Sequence, residues 1–305
     1  MQLRNEPGYT LRQLECFVAV ADAGTISAAA ERLHASQSAV SLAVNELERG
    51  LRAQLCVRRK AHGVVLTPTG TEVLRQARTL LRHAEELQTV ASGSGPELSG
   101  PLAVGCYLTL APTVLPRLLA EFGERHPAVW VDFAEGTQDT LQQRLLAGEL
   151  DLAVLYNMEV LPEMDSTELY TTRPHILLPT DDPLADSAEI SLRDLASRPM
   201  VLLDSPPSTQ HTMKVWREAG ITPTVRHRTT SFETARALVG RGLGYALLVQ
   251  QPSNERTYEG LPVIRKEISE QAGDVAVLLA WPRHCKLSAR AEAFINYATA
   301  QQNSS

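Results

Sequence analysis

The stretch that most restricts the fold of this chain is residues 24–48, GTISAAAERLHASQSAVSLAVNELE. Its pattern predicts two short helices joined by a tight turn. Ser27 is expected to cap the first helix, which has a small face of three alanines and one leucine, and Ser36 is expected to cap the second. Two helices joined in this way predict a helix-turn-helix, whose second helix can enter the major groove of DNA.

The second of these helices has one apolar and one polar face. Val40, Val44 and Leu47 recur at spacings of four and three, which gives an apolar stripe for packing. The opposite face carries short polar side chains that can approach the edges of bases, and a merely solvated face is the alternative. The predicted base-facing residues are Gln37, Ser38, Ser41 and Asn45, while Thr25 and Ser36 are predicted either to contact phosphate or only to cap helices.

The charge distribution allows DNA binding although the chain as a whole is acidic. The formal net charge is -6. Residues 1–92, however, hold 11 Lys and Arg and 9 Asp and Glu, while the remainder holds 18 and 26. A mildly basic head is therefore followed by an acidic body, and only the head is suited to contact phosphate groups.

Residues 51–70 predict a two-stranded wing after the helix-turn-helix. Gly50 is expected to end the preceding helix, and Gly63 separates a basic run from an apolar one. A basic tip of this kind can contact phosphate, and a solvated basic hairpin is the alternative. The basic residues of the predicted tip and its flanks are Arg58, Arg59, Lys60 and His62.

A long helix is predicted from Thr67 and Pro68 onward, because proline is favoured in the first turn of a helix. Its apolar residues alternate spacings of four and three, and Leu74 and Leu81 widen the stripe. This pattern predicts a homodimer through paired helices, and packing on the helix's own domain is the alternative. The predicted seam consists of Val73, Ala77, Leu80, Ala84, Leu87 and Ala91.

After the Ser-, Gly- and Pro-rich segment 92–96, the body has a sequence pattern that differs from that of the head. Short apolar strands alternate with helices, first as β-α-β-α-β and then in a second similar unit, which is typical of parallel sheets flanked by helices. Thr230 and Glu233 are expected to form a capping box at the start of one helix. The last strand and helix are expected to return to the first unit. The sequence thus predicts two Rossmann-like α/β subdomains with a cleft between them.

The chain therefore divides into a mainly α-helical head, a linker helix and an α/β body. The predicted division is residues 1–67 for the DNA-binding domain, 68–92 for the linker helix, 93–98 for a flexible hinge and 99–305 for the body. Within the body, subdomain I is expected at about residues 99–165 and 266–300, and subdomain II at about residues 166–265.

The whole chain, from about Tyr9 to about Ala298, resembles a LysR-type transcriptional regulator. The N-terminal motifs carry most of the resemblance, because their order and spacing are highly specific, and two motifs of the body add to it. The N-terminal motifs are LRQLECF at 11–17, SAAAERL at 27–33, SQSAVS at 36–41, ELE at 46–48 and LTPTG at 66–70; those of the body are LAGELDLAV at 146–154 and VGRGLGY at 239–245.

The resemblance implies a ligand-responsive bacterial transcriptional regulator with a winged helix-turn-helix, a dimerising linker helix and an effector-binding domain similar to periplasmic binding proteins. Such a regulator binds an interrupted inverted repeat in double-stranded promoter DNA, as a homodimer or a dimer of dimers. A small metabolite changes how it bends DNA and engages RNA polymerase. We therefore expect no enzymatic activity, no cofactor and no metal. Because the N-terminus lacks the apolar core of a signal peptide, a cytoplasmic location is expected.

Three strand-to-helix transitions of the body are expected to face the cleft, since ligands of doubly wound sheets bind at the carboxyl ends of strands. N–H groups at helix starts favour anions, which predicts an effector with a carboxylate. For any single hydroxyl group at such a site, helix capping is the alternative. The predicted effector-binding residues are Cys106, Tyr107, Leu108, Thr109, Asn157, Ser205, Ser208, Thr209, Thr230, Ser231 and Phe232.

Two other functions stay open on the sequence alone. Cys106 could be a redox-sensing thiol of a transcription factor, and the body could belong to a cytoplasmic solute-binding protein. Enzymatic classes find little support. The glycine-rich segment 240–244 precedes a predicted strand instead of following one, no Gly-x-Ser-x-Gly motif occurs, and the eight histidines lack metal-ligand spacing.

Overall fold

The computed structural model describes residues 8–59, 63–91, 98–283 and 285–300, so most of the predicted hinge, residues 93–97, lies outside the described residues. The helices are α1 (Leu11–Ala23), α2 (Ile26–Arg32), α3 (Gln37–Leu51), α4 (Pro68–Ala91), α5 (Ala111–Arg125), α6 (Gln138–Leu146), α7 (Leu192–Leu195), α8 (Ser208–Glu218), α9 (Phe232–Gly240) and α10 (Ala289–Ala300). The strands are β1 (Cys56–Arg59), β2 (Gly63–Leu66), β3 (Gly100–Tyr107), β4 (Val129–Gly136), β5 (Leu152–Tyr156), β6 (Met164–Thr172), β7 (His175–Pro179), β8 (Glu189–Ile190), β9 (Pro199–Leu203), β10 (Thr224–Thr229), β11 (Ala246–Leu248), β12 (Val263–Ile268) and β13 (Val275–Pro282).

The head is a compact unit of α1, α2 and α3 with a two-stranded antiparallel wing of β1 and β2. Thr10 and Gln13 form a reciprocal capping box at the start of α1, and Gly24 ends this helix in the left-handed region with φ 68°. The carbonyl of Gly24 accepts the N–H of Val64 at 2.7 Å, which ties the end of α1 to the wing. The predicted winged helix-turn-helix is therefore confirmed. Its fully buried core side chains include Phe17, Ala29, Val40, Leu47 and Leu55.

The predicted cap of α2 is wrong by two residues. Thr25 is the N-cap, and its side-chain oxygen accepts the N–H of Ala28 at 3.2 Å. Ser27 lies inside the helix, where its hydroxyl accepts a hydrogen bond from the Gln37 amide. Both residues have suitable side chains, and only the backbone conformation, which is extended at Thr25, selects the cap.

Gly50 does not end α3, contrary to the prediction. The helix continues to Leu51, and Arg52 takes the left-handed conformation with φ 53°. Gly50 fills a different requirement, because a Cβ at this position would lie 1.9 Å from the carbonyl oxygen of Gly8. The glycine therefore permits the N-terminal segment to pass directly over the helix.

The linker helix α4 uses part of its apolar stripe within its own chain. Leu74 and Ala77 are buried against the core of the head. Farther along, Leu80 is 42% exposed and Leu87 is 70% exposed. The alternative of packing on its own domain therefore applies to the first half of the predicted seam, while Leu80 and Leu87 keep apolar side chains at the surface.

The first sheet of the body has the order β4-β3-β5-β13-β6. Strands β3, β4 and β5 are parallel, as the β-α-β-α-β pattern predicts, and β13 lies antiparallel between β5 and β6. Every residue of β5 is buried, which explains its continuous apolar run. The return of the last strand to the first unit is therefore confirmed.

The second sheet forms the other half of the body. Strands β9 and β10 are parallel, and an isolated bridge between Met200 and Tyr245 joins them to the strands in the order β11-β7-β12-β8. Helix α8 packs against β9 and β11, and α9 packs against β7, β9, β10, β11 and β12. Two α/β lobes are thus present.

The residues at which the chain passes from one sheet to the other differ from the predicted subdomain limits. Strand β6 pairs with β13 from Met164 to Thr172, so the second sheet begins only at His175, later than the expected limit near residue 166. Strand β12 likewise keeps the second sheet up to Ile268, beyond the expected limit near residue 265. Both strands have few buried residues and carry charged ones, which hides them in a search for apolar runs.

The capping box predicted for α9 is displaced by one residue. Ser231 is the N-cap, and its hydroxyl accepts the N–H of Thr234 at 3.2 Å. The Glu233 carboxylate does not return to the cap but accepts the backbone N–H of Tyr258. It therefore holds the segment before β12 against the start of α9.

Candidate functional site

Helix α3 presents its polar face at the surface of the head. Gln37, Ser38 and Asn45 are exposed and Ser41 is half-buried, whereas the apolar stripe on the other side is buried in the core. Leu42 is 55% exposed on the accessible side. The face therefore offers amide and hydroxyl groups around one apolar side chain, which suits contact with base edges and with thymine methyl groups.

The polar groups near the start of α3 are held by neighbours from the turn and from α2. The Gln37 amide donates to Ser27 Oγ at 3.1 Å. The hydroxyls of Ser36 and Ser38 lie 3.0 Å apart, and Ser36 Oγ also accepts the N–H of Ala39. Thr25 and Ser36 thus both serve as helix caps, which is one of the two roles predicted for them.

The wing is a short antiparallel ladder whose second strand, β2, contacts α1 and α4. The backbone of Arg58 and Arg59 belongs to β1 and is paired with Val64 and Gly63. Gly63 has φ +71°, and a Cβ there would lie 2.3 Å from the carbonyl oxygen of Gly24, so the close approach of the wing to α1 requires glycine. The other two predicted tip residues, Lys60 and His62, lie outside the described residues.

Glu48 anchors the wing to α3, a role that the sequence did not indicate. One carboxylate oxygen accepts the backbone N–H groups of both Leu55 and Cys56, at 2.7 and 2.9 Å. These bonds fix the point at which the chain leaves α3 and enters β1. A carboxylate that lies eight residues before the start of a strand gives no local pattern, so only the three-dimensional fold shows this contact.

Replacing Glu48 with alanine is expected to destabilise the head by about 1 kcal/mol, because two backbone N–H groups lose a charged acceptor while partial exposure lets water replace it. Glu48→Gln keeps an acceptor oxygen and should lose less. Urea unfolding of the two variants measures the difference, and faster amide exchange at Leu55 and Cys56 locates it. Equal stability of the alanine and glutamine variants would contradict the anchoring role.

The cleft between the two lobes is lined by side chains at the carboxyl ends of strands. Tyr156 ends β5, and its hydroxyl lies 3.4 Å from Thr109 Oγ1 and 3.4 Å from Gln250 Oε1. Burial raises the pKa of Tyr156, so the phenol stays neutral and can donate. Gln250 follows β11 in the second lobe and also bonds to Thr113 of the first.

A second set of polar contacts crosses the cleft near the start of α8. The hydroxyl of Tyr107, at the end of β3, lies 3.2 Å from Ser208 Oγ and 3.4 Å from both the hydroxyl and the carbonyl of Ser205. The rings of Tyr107 and Tyr156 stand edge to face, with centroids 5.6 Å apart. Two neighbouring phenols of the first lobe thus reach groups of the second.

These contacts nearly fill the space between the lobes and leave a cavity of about 10 Å³. None of the described side chains that line it carries a charge. The cavity is lined by Thr109, Tyr156, Leu203, Ser208, Thr212, Phe232, Leu247, Leu248, Val249 and Gln250. Of the residues predicted to bind the effector, Thr109, Ser208 and Phe232 lie in this wall, and Tyr107 and Ser205 adjoin it.

Other predicted effector-binding residues lie elsewhere. Asn157 is exposed, and its N–H donates to the carbonyl of Ala276. Thr209 turns back to the Leu203 carbonyl, and Thr230 is exposed. Leu108 is also exposed, Ser231 is occupied as the cap of α9, and Cys106 lies fully buried within β3.

Tyr156 and Gln250 are the cleft residues that the sequence analysis missed. The strand-end rule was applied to the residues after β5, which selected Asn157 in place of the last residue of the strand itself. Gln250 follows β11, where the same rule would have selected it. Extending the search to every strand end would therefore have found both residues.

The redox alternative based on Cys106 is disfavoured by its surroundings. The side chain has no solvent exposure, and burial, with a smaller contribution from the Glu135 charge, raises the pKa of the thiol. The thiolate is the reactive form, so this environment suppresses oxidation. Cys285 is half-buried, and the Arg75 guanidinium lies 3.7 Å from its sulfur.

Replacing Cys106 with alanine is expected to leave DNA binding and its response to hydrogen peroxide the same as in the unmodified chain, because the buried thiol does not form an accessible thiolate. A gel-shift titration with peroxide measures this. Cys285→Ala is the matched control at the more accessible thiol. A peroxide response that disappears only in Cys106→Ala would establish the redox function instead.

Among the described residues, no helix combines the length and apolar character needed to cross a lipid bilayer. The family profile described as "Bacterial regulatory helix-turn-helix protein, lysR family" matches residues 11–71. The profile described as "LysR substrate binding domain" matches residues 95–303. The two matches coincide with the head and the two-lobed body.

Known proteins that are similar to this chain include ones from Mycobacterium avium, Pseudomonas aeruginosa and Rhodococcus sp. RHA1. A "Probable hydrogen peroxide-inducible genes activator" of Mycobacterium avium is 32% identical over 79% of this chain and 78% of its own length. The crystal structure of HinK, a LysR family transcriptional regulator from Pseudomonas aeruginosa, is 35% identical over 96% of this chain and 98% of its own, with a TM-score of 0.65. The C-terminal domain of a probable LysR family regulator from Rhodococcus sp. RHA1 is 49% identical over 66% of this chain and 100% of its own, with a TM-score of 0.65.

Proposed function

The chain belongs to the LysR family of transcriptional regulators, and from this premise we propose specific roles for its two polar surfaces. The exposed face of α3 reads base edges in the major groove through Gln37, Ser38, Ser41 and Asn45. The wing holds the phosphate backbone through its basic residues. The cleft binds a small effector that carries a carboxylate.

The observation that carries the effector proposal is the pair of contacts across the cleft. Tyr107 reaches Ser208 at the start of α8, and Tyr156 reaches Gln250. These neutral donors and the N-terminus of α8 together favour an anionic group without a cationic partner. An effector that replaces these contacts changes the relative position of the lobes, because the same hydroxyl groups cannot bind each other and the ligand equally well.

We further propose that the regulator acts as a homodimer, and as a dimer of dimers on DNA. The exposed Leu80 and Leu87 on α4 support this, because a second copy of the helix would cover them. A symmetric pair of heads matches the two halves of an interrupted inverted repeat. We also propose that the regulator contacts RNA polymerase from such a promoter site. It would do so in the cytoplasm, where bacterial DNA lies.

Footprinting of the full chain on its own upstream region tests the proposal. The expected result is protection of two half-sites, with a changed footprint or bend when a small carboxylate effector is added. A chain lacking residues 1–92 should lose DNA binding and keep effector binding. Retained promoter binding by that truncated chain would show that the head is not the reading unit.

Variants of the cleft test the effector part separately. Tyr156→Phe removes the hydroxyl that joins Thr109 and Gln250 while keeping the ring. It should weaken effector binding in a thermal-shift titration and leave operator binding without effector unchanged. If Tyr156→Phe, Thr109→Val and Ser208→Ala all bind the effector normally, the ligand does not occupy this cleft.

A further inference from the structure

Leu42 is an exposed leucine on the polar face of α3. It lies two residues from Val40 and two from Val44, which places it about 160° around the helix from both of these buried valines. Leu42 is absent from the partly buried side chains of the head that pack on its core, whereas the next residue, Ala43, is one of them. With 55% exposure, the leucine therefore does not serve the core of the head.

The neighbours of Leu42 on this face are polar. Ser38 lies four residues before it and Asn45 three residues after it, and side chains at these spacings are adjacent on a helix. Both residues are exposed. Leu42 thus places an apolar side chain between two groups that can form hydrogen bonds with base edges.

The major groove of DNA offers one apolar group to such a side chain. This group is the C5 methyl of thymine, while the other groups that the bases present there are hydrogen-bond donors and acceptors. A leucine pressed against a donor or acceptor would remove it from water without giving it a partner, which opposes binding. A leucine against the methyl group removes apolar surface of both molecules from water, which favours binding.

We propose that Leu42 selects thymine, by packing against the C5 methyl group of one thymine in each half-site of the operator. This inference rests on the proposed function of α3 and adds the identity of a base pair to it. A thymine-adenine pair is preferred to a cytosine-guanine pair at this position, because cytosine lacks the methyl group and presents an N–H donor to the leucine. The contact involves no phosphate, so it does not contribute to the dependence of binding on salt.

Replacing thymine with deoxyuridine in the operator tests the proposal, because deoxyuridine lacks only the C5 methyl group. The probe is the duplex that the full chain protects in footprinting, with each thymine replaced in turn at the equivalent position of both half-sites. Fluorescence anisotropy at one salt concentration is expected to show one position at which the replacement weakens binding about fourfold per half-site, the effect of exposing one buried methyl group. At that position, the Leu42→Ala variant should bind the thymine and the deoxyuridine duplex equally well.

Leu11→Ala is the matched control. Leu11 is also an exposed leucine of the head, at 48%, but it is the first residue of α1. This variant should keep both the operator affinity and the effect of deoxyuridine. Leu42→Met keeps an apolar side chain of similar volume, so the effect of deoxyuridine should persist in it.

Two results would overturn the proposal while the proposed function stands. One is full operator affinity in Leu42→Ala, and the other is an effect of deoxyuridine that is the same in Leu42→Ala as in the unmodified chain at every thymine. A reduced salt slope in Leu42→Ala would also count against it, since the change would then act on phosphate contacts. If the full chain protects no sequence in footprinting, the proposed function itself fails, and this inference fails with it.

Discussion

Replacing Gln37 with alanine is expected to weaken operator binding about 5- to 150-fold while leaving binding to unrelated DNA unchanged, because a bidentate contact to one base contributes about 1–3 kcal/mol of discrimination. Gln37 is exposed at the first turn of α3, so its removal should not alter the stability of the head. Fluorescence anisotropy with operator and scrambled duplexes at one salt concentration measures both affinities. Preference for a base at a single operator position should be lost with the amide.

The Gln37 amide must leave its partner in the free protein before it can contact a base. It donates to Ser27 Oγ at 3.1 Å. If the amide contacts a base, this hydrogen bond exists only in the DNA-free chain. Ser27→Ala is therefore the matched control. It should preserve operator affinity, whereas an equal loss on operator and scrambled DNA in Gln37→Ala would assign the residue to phosphate contact.

Arg58→Gln should give the opposite pattern to Gln37→Ala. The residue lies in β1 of the wing, where we propose contact with the backbone. A phosphate contact carries no sequence information, so affinity should fall alike on all duplexes, and the slope of log K against log salt should decrease by about one. Binding measured over a salt series checks this. A loss confined to the operator would mean that the wing reads bases.

The parts of the fold that follow from local pattern were predicted from the sequence. Helix α3 begins directly after its predicted cap Ser36, and α4 begins at Pro68, because a capping hydroxyl and a first-turn proline mark these helix starts locally. Strand β6 was missed. Its nine residues include only Met164 and Leu169 as buried positions, and its place in the sheet depends on pairing with β13, more than a hundred residues away.

The two sites differ in how far the sequence indicates them. The polar face of α3 lies on one helix, so its spacing alone placed Gln37 and Ser38 at the surface. The cleft is assembled from residues distant in the chain, such as Tyr156 and Gln250, whose contact depends on the arrangement of both lobes. The sequence predicted that polar groups at strand ends face the cleft. It did not predict which residues of the two lobes contact each other.

A physical connection between the cleft and the head runs through two arginines of α4. Arg82 pairs with Asp151 at 3.1 Å and donates to the Gly148 carbonyl, and Asp151 leads directly into β5. That strand ends at Tyr156 in the cleft, about 17 Å away at the usual rise of a strand. Arg78 lies one turn earlier on α4 and bonds both to the Ala147 carbonyl of the body and to Asp22 of α1.

These contacts join the head and the body in a defined orientation that effector binding can alter. The segment 147–151 holds α4 through two guanidinium groups, and one of these groups also holds α1. If the lobes move when the effector binds, β5 and the segment before it move relative to α4. We expect the movement to reach the head through these arginines while they keep both partners. A further contact of α4 with the body, from Arg75 to the Cys285 sulfur, is longer, at 3.7 Å.

Replacing both Arg78 and Arg82 with lysine is expected to abolish effector control of DNA binding. Lysine keeps each positive charge, so affinity for DNA without effector should be retained, but a single ammonium cannot reach the two partners that each planar guanidinium holds. A coupling of about 1–3 kcal/mol, or 5- to 150-fold in operator affinity, should therefore fall towards onefold. Operator affinity with and without effector, and effector affinity with and without operator, must change by the same factor. Gln76→Met, an exposed position on the same helix, is the control, and undiminished coupling in the double lysine variant would show that the signal reaches the head by another route.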